Sequence, residues 1–183
     1  MIQGEKVCLR KAHETDFQRL LQMRNDRHLQ SLLMADAQTN SLEDVRGWLK
    51  RRNSESGSLF YIISDAQTGQ CAGFIQLIGI RPRHGDGALG IAVHDEYAGR
   101  GFASEAIQLL ESEGAAAHGL RKITLQVMLR NERAVQLYER LRFRRVGVLV
   151  QHFEHDGEYF DVLVMERLVP VSSEQTKVLL TGS

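Results

Sequence analysis

Apolar positions along this chain recur with two periods, and the switches between them divide it into strands and helices. KVCLRKA, near the start, reads as a strand. Thr15 and Gln18 then stand at capping-box spacing ahead of a helix with Phe17, Leu20 and Leu21 on one face, ending near Arg24 to Asp26. LLMADAQTN reads as a loop. Ser41 and Asp44 cap a second helix whose expected buried stripe is Leu42, Val45, Trp48 and Leu49. In SLFYIISDAQTGQCAGFIQLIGI two β-rich runs flank AQTGQ, which predicts a hairpin. After the polar connector RPRHGDG, a strand (ALGIAVH), a helix (GFASEAIQLLESEGAAAHG) and a strand (KITLQVML) make a strand-helix-strand unit. A short helix from Asn131 carries Ala134, Leu137, Tyr138 and Leu141 on one stripe. The chain closes as a hairpin, RRVGVLVQHFEH and EYFDVLVMERL around Asp156-Gly157, the strongest short turn signal it contains.

Composition narrows the class. A chain of 183 residues with 43% hydrophobic and 25% charged positions is one ordinary globular domain, expected over residues 1–168 with a loose tail over 169–183. Lys plus Arg equals Asp plus Glu, 23 against 23, so no global field recruits nucleic acid or an anionic membrane, and any anion must be held locally. Cys8 and Cys71 are too few and too distant for a disulfide framework, which fits a reducing, cytoplasmic setting. The first residues lack the apolar region of a signal peptide, and no run approaches a membrane span. His152 and His155 have no third ligand nearby in sequence, so no metal is expected.

The chemistry begins at YAGRGFASEAI, Tyr97 to Ile107, directly after LGIAV. A strand entering a glycine-bearing loop and then a helix aims several backbone N–H groups at one spot, to which the helix adds about half a positive charge. Gly99 and Gly101 can adopt angles closed to other residues, and Arg100 can add a charge-assisted bond to a phosphate. A plain tight turn is the other reading of a lone G-x-G. A P-loop fails because Phe102-Ala103-Ser104 follows Gly101 where Lys and Ser or Thr are needed. GDGALG, Gly85 to Gly90, matches G-x-G-x-x-G but leads into a strand instead of a helix. In that strand Leu89, Ile91 and Val93 form one face, while Gly90 and Ala92 leave the other nearly bare, as where a ligand or a second backbone lies close.

Ala98 to Ala103, with NERAVQLYE from Asn131 to Glu139, make the sequence resemble the GNAT superfamily of acyl-CoA-dependent N-acyltransferases over residues 5 to 168. The resemblance implies an α+β fold: a central twisted mixed sheet of about seven strands, flanking helices, and fourth and fifth strands that splay apart around acetyl-CoA. It maps the pantetheine onto Ile91, Ala92 and Val93, and the pyrophosphate onto Ala98, Gly99, Arg100, Gly101, Phe102, Ala103 and Ser104. It brings Asn131 and Ala134 to the cofactor and stands Tyr138 beside its sulfur as the general acid. Tyr138 also lies on the inward stripe, where a phenol needs a hydrogen-bond partner; a core tyrosine bonded to a carbonyl is the alternative.

The chain departs from the family pattern in three places. Ala98 replaces the usual Gln or Arg of the loop, Arg142 a common glycine, and Ala88 the glutamate that serves many relatives as base. The base is left among Asp86, His84, His94 and a water chain. Direct attack of a primary amine on the thioester in a ternary complex needs no covalent intermediate, and neither cysteine lies near the groove. Within the superfamily the two ends of the chain look like the branch holding ribosomal-protein N-terminal, spermidine and nucleotide-amino-sugar acetyltransferases. A polyamine calls for carboxylates around the third strand, where this chain has Gln76 and Gly79. Arg81, Arg83 and His84 can meet a nucleotide diphosphate, so a nucleotide-linked amino sugar is the expected acceptor, with a polyamine or a protein N-terminus as alternatives. The small-molecule or peptide amine would be used by a monomer or homodimer. The rival of another class is a CoA-binding sensor or assembly module without transferase activity.

Overall fold

The computed structural model describes residues 1–36 and 38–170, so the tail expected over 169–183 lies mostly outside the described residues. One sheet of eight strands forms the centre, in the order β1 (Ile2–Gln3), β2 (Val7–Arg10), β3 (Leu59–Asp65), β4 (Cys71–Arg81), β5 (Asp86–Val93), β6 (Lys122–Met128), β8 (Glu158–Leu168), β7 (Arg144–His155). Every neighbouring pair is antiparallel except β5 and β6. Seven of these strands are the ones the alternation predicts. The eighth, β1, is two residues long, too short to leave a period in the sequence.

Helices cover both faces: α1 (Phe17–Asn25), α2 (Arg27–Leu32), α3 (Leu42–Ser54), α4 (Phe102–His118) and α5 (Glu132–Arg140). Under α4, one core layer gathers Leu9, Ile75, Leu77, Ile107, Leu110, Ile123 and Leu163. Under α1 and α3 the other gathers Leu20, Met23, Val45, Phe60, Phe74 and Ala92, with Trp48 edge-on to both phenylalanines at 5.2 Å. Leu42 of the expected α3 stripe is instead 47% exposed, because it occupies the first position of the helix, beside the Ser41–Asp44 capping box, and projects past the sheet.

Two local expectations are corrected. The cap before α1 sits two residues earlier than Thr15 and Gln18: the buried Asp16 carboxylate accepts from the His13 N–H at 2.7 Å and from both Arg10 guanidinium nitrogens at 2.7 and 2.8 Å. The Arg10 fork holds the Asp16 carboxylate in place to accept from the His13 amide, which sets the start of the turn there. The second correction is α2. Asp26 turns extended (ψ 103°), ends α1, and then accepts from the Leu29 N–H at 3.0 Å to start a new helix. The Asp156-Gly157 turn forms as expected, with φ of 52° and 84°, and His155 faces Glu158 across it.

At Gly73 the sheet closes tightly. A Cβ there would lie 2.1 Å from the Ala92 carbonyl oxygen on the adjacent strand. Gly73→Ala must therefore push β4 from β5, and urea unfolding should register a loss of about 1–3 kcal/mol or more. An unchanged midpoint would mean the strands have room to separate. This contact matters for the site because it holds β5 against β4 as far as Val93↔Gly73, while β6 follows β8 as far as Met128↔Val162. Between those two allegiances β5 and β6 pair only over Asp86–Ala88 and Lys122–Thr124.

Candidate functional site

Beyond that short paired stretch the strands diverge, and the gap opens into a cavity of about 970 Å³, at the upper end of the range for small-molecule sites. Its walls are Ala88 to Val93 of β5, Thr124 to Val127 of β6, the first turn of α4, the inner side of α5, and Leu29, Leu32, Leu33 and Met34 from α2 and the turn after it. Ile91, Ala92, Val93, Ala98, Gly99, Gly101, Phe102, Ala103, Ser104, Asn131, Ala134 and Tyr138 all line it. Residues from Ile91 to Tyr138 are thus gathered in one slot.

The loop before α4 has the backbone the glycines permit. Gly99 has φ 78° and Gly101 φ 88°, the left-handed region that side chains resist. The first intrahelical acceptance is Glu105 N–H to the Gly101 carbonyl at 3.1 Å, so the N–H groups at the helix start have no intrahelical acceptor and the helix dipole points its positive end into the slot. Arg100 is the exception among the expected contacts. Its guanidinium lies over the Tyr97 and Phe102 rings, at 5.2 and 5.0 Å, and 3.8 Å from Asp65, so it does not line the cavity. Between two left-handed glycines the chain reverses, and the side chain follows the aromatic surface on the far side.

Tyr138 is 8% exposed, packs edge-on to Phe143 at 5.7 Å, and makes no hydroxyl hydrogen bond among the described residues. Burial pushes its phenol up to about 12, since the phenolate would lose its hydration. The hydroxyl therefore keeps its proton throughout the neutral range and is available there as a donor. Asn131 uses its side-chain carbonyl to cap α5, accepting from the Ala134 N–H at 3.2 Å, and it lines the slot.

None of the side chains weighed as base reaches the slot. Asp86 is forked by Arg81, which holds its carboxyl below the usual range through the hydrogen bonds and the nearby charge. His84 sits in the turn between β4 and β5, outside the lining. His94 contacts Arg19 at 3.0 Å and accepts from the Glu96 N–H at 3.3 Å; it lines an adjoining cavity of about 630 Å³ with Asp26, His28, Asp95 and Glu132. Arg81, Arg83 and His84, expected to meet a nucleotide diphosphate, are all absent from the lining. Gly90 and Ala92, expected to leave a bare face, both line the slot, but that face is partly filled: Ala92 also packs in the α1/α3 core, and the Gln76 amide lies across Gly90, 2.8 Å from where a Cβ would be. Gln76 Oε1 is itself buried without a partner among the described residues. The sequence marks Gln76 only as the place where a carboxylate is missing; its contact with Gly90 carries no signal there because the two lie on different strands. Among the described residues no group of three or more His, Cys, Asp or Glu is placed to hold a metal, and no helix is long and apolar enough to cross a membrane.

A splayed parallel pair with a helix start presenting free amides into the slot is the arrangement that the resemblance to acyl-CoA-dependent acyltransferases implies. Residues 6–144 match the acetyltransferase (GNAT) domain, and the chain belongs to that family. It is an acetyl-CoA-dependent N-acetyltransferase. It is 27% identical to a spermidine N(1)-acetyltransferase of Vibrio cholerae over 87% of this chain and 91% of that one. The solved structure of spermidine N-acetyltransferase from Vibrio cholerae in complex with CoA and spermine superposes with a TM-score of 0.82 at 26% identity, covering 91% of this chain and 97% of that chain. A dodecameric structure of spermidine N-acetyltransferase from the same organism gives 0.74, with 98% and 100% covered.

Proposed function

We propose that the acceptor is a primary amine of an aliphatic polyamine, and that it attacks acetyl-CoA directly while both are bound. The observation that carries this reading is the make-up of the cavity mouth. Leu29, Leu32, Leu33 and Met34 offer an apolar passage for methylene groups, Asp95 lies in the lining, and Asp26 and Glu132 stand in the adjoining space. A polyamine has that pattern of apolar spacers and spaced charges. The relatives named for spermidine support it. The amino-sugar reading has no such support: its proposed diphosphate ligands are outside the slot, and Arg81 is held by Asp86.

In this mechanism acetyl-CoA supplies an activated acyl carbon. The β5 main chain at Ile91, Ala92 and Val93 aligns the pantetheine, while Ala98 to Ser104 grip the diphosphate. The Asn131 amide and Ala134 flank the cofactor at the start of α5. A neutral amine forms the C–N bond as the C–S bond breaks; Tyr138 gives its proton to the leaving sulfur, and the amine's surplus proton passes to water, from which the Tyr138 oxygen is reprotonated. Alignment of the two bound reactants carries much of the rate, up to about 7–11 kcal/mol in favourable cases. Water takes the base's part because Asp86 is held as an ion pair and His84 and His94 lie elsewhere. The two cysteines, both buried and free, fit a reducing cytoplasm.

Thiol release from acetyl-CoA with a panel of amines tests the acceptor. Spermidine is expected to exceed a nucleotide-linked amino sugar and a peptide N-terminus by about tenfold or more in kcat/KM, or roughly 1.4 kcal/mol of transition-state preference. Preference for the amino sugar overturns the polyamine reading. Tight CoA binding with no turnover on any amine favours the non-catalytic sensor instead.

A further inference from the structure

Two cations flank the glycine loop from outside it. A Cβ on Gly101 would lie 3.1 Å from the Lys6 Nζ, and one on Gly99 3.6 Å from a terminal nitrogen of Arg133. Lys6 comes from the turn before β2 and is fixed there by α4 itself: the Glu105 carboxylate accepts from the backbone N–H groups of both Glu5 and Lys6, the latter at 2.9 Å. Gly4 permits that contact, since a Cβ on it would lie 2.5 Å from Glu105 Oε1. Arg133 projects from the first turn of α5, two residues after the Asn131 cap, and lines the slot.

The charge balance at this point is unusual for a chain whose formal net charge is zero. Among the described residues neither Lys6 nor Arg133 has a carboxylate partner; Lys6 Nζ makes only a long contact, 3.5 Å, to the Arg100 carbonyl. Both cations are held beside the N-terminus of a 17-residue helix, where the dipole repels positive charge. The nearby carboxylate, Glu105, is engaged with the Glu5 and Lys6 amides. A dianion between them relieves the repulsion.

Building on the reading of the loop given above, we propose that Lys6 and Arg133 clamp the diphosphate of CoA from opposite sides of the glycine loop. They supply the charge that Ala98 cannot and that Arg100, turned onto Tyr97 and Phe102, directs elsewhere. The diphosphate is the partner, and not the more distant 3′-phosphate, because both cations lie against the main chain of the loop.

Calorimetric titration of the full chain with CoA and with dephospho-CoA tests this, alongside Lys6→Ala and Arg133→Ala. Each substitution is expected to weaken CoA about tenfold, as for loss of one hydrogen bond to a charged group, and to flatten the dependence on salt. The loss should persist with dephospho-CoA, and Lys6→Arg should restore most of the affinity. Both side chains are exposed, so the melting temperature and the acceptor KM should stay constant. If the substituted chains bind CoA as tightly as the unsubstituted one, the clamp is overturned while the acetyltransferase stands. If the loss vanishes with dephospho-CoA, the assignment to the diphosphate is overturned. Failure of the unsubstituted chain to bind CoA overturns the reading of the loop itself.

Discussion

Tyr138→Phe should lower kcat by about 10²- to 10⁴-fold, the usual worth of a positioned general acid, and leave the KM for acetyl-CoA nearly unchanged. The hydroxyl makes no hydrogen bond among the described residues, and its ring packs on Phe143, so its removal should not lower the melting temperature. A tyrosine kept for core packing would give the opposite pattern: activity retained. The pH profile adds an independent reading. Burial pushes the phenol up to about 12, so the unsubstituted protein should lose no rate from phenol ionisation as pH rises through about 10, the ordinary tyrosine value. On the acid side the rate should fall as the amine is protonated. A descending limb near the ordinary tyrosine value, absent from the Phe variant, would mean that Tyr138 is solvated and that the slot is wetter than its burial implies.

What the sequence disclosed about the fold follows from how local each signal is. Alternation along KITLQVM carries through to Ile123, Leu125 and Val127, all buried, because the strand is covered on that face by α4 and α5. The Asp156-Gly157 turn is legible because only a few residues tolerate two successive positive φ values. By contrast α2 has six residues and exists because Asp26 breaks one helix and caps the next, a competition that periodicity does not register. Asp16 was passed over as a cap because its decisive partner, Arg10, is on a preceding strand.

The same distinction runs through the site. The glycine loop could be read directly, since its chemistry is a backbone conformation written in residue type, and Tyr138 was marked by both a helical stripe and a family segment. Lys6, Arg133 and Gln76 carry no such mark. Arg133 and Gln76 reach the slot from α5 and β4, Lys6 reaches the glycine loop from β2's leading turn, and only the closed sheet makes them neighbours. Arg100 misled for a related reason: proximity to a phosphate loop in sequence does not decide which side of a left-handed turn a side chain takes, and two aromatic rings with Asp65 decided it here.

Gly101→Val tests the loop where conformation and contact coincide. A β-branched residue at φ 88° is strained by about 1–3 kcal/mol, and its Cβ would start 3.1 Å from the Lys6 ammonium. The chain can relieve that strain only by rotating the loop, which turns the amides of Phe102, Ala103 and Ser104 away from the position proposed for the diphosphate. The KM for acetyl-CoA should rise about tenfold or more, while the KM for the amine, which we place at the α2 side of the slot, should change little. Equal loss of both would identify general misfolding, and a drop in melting temperature of many degrees would accompany it. The two outcomes separate because α4 is secured away from its first turn by Ile107 and Leu110, both fully buried against the sheet, so a distorted loop need not unseat the helix behind it.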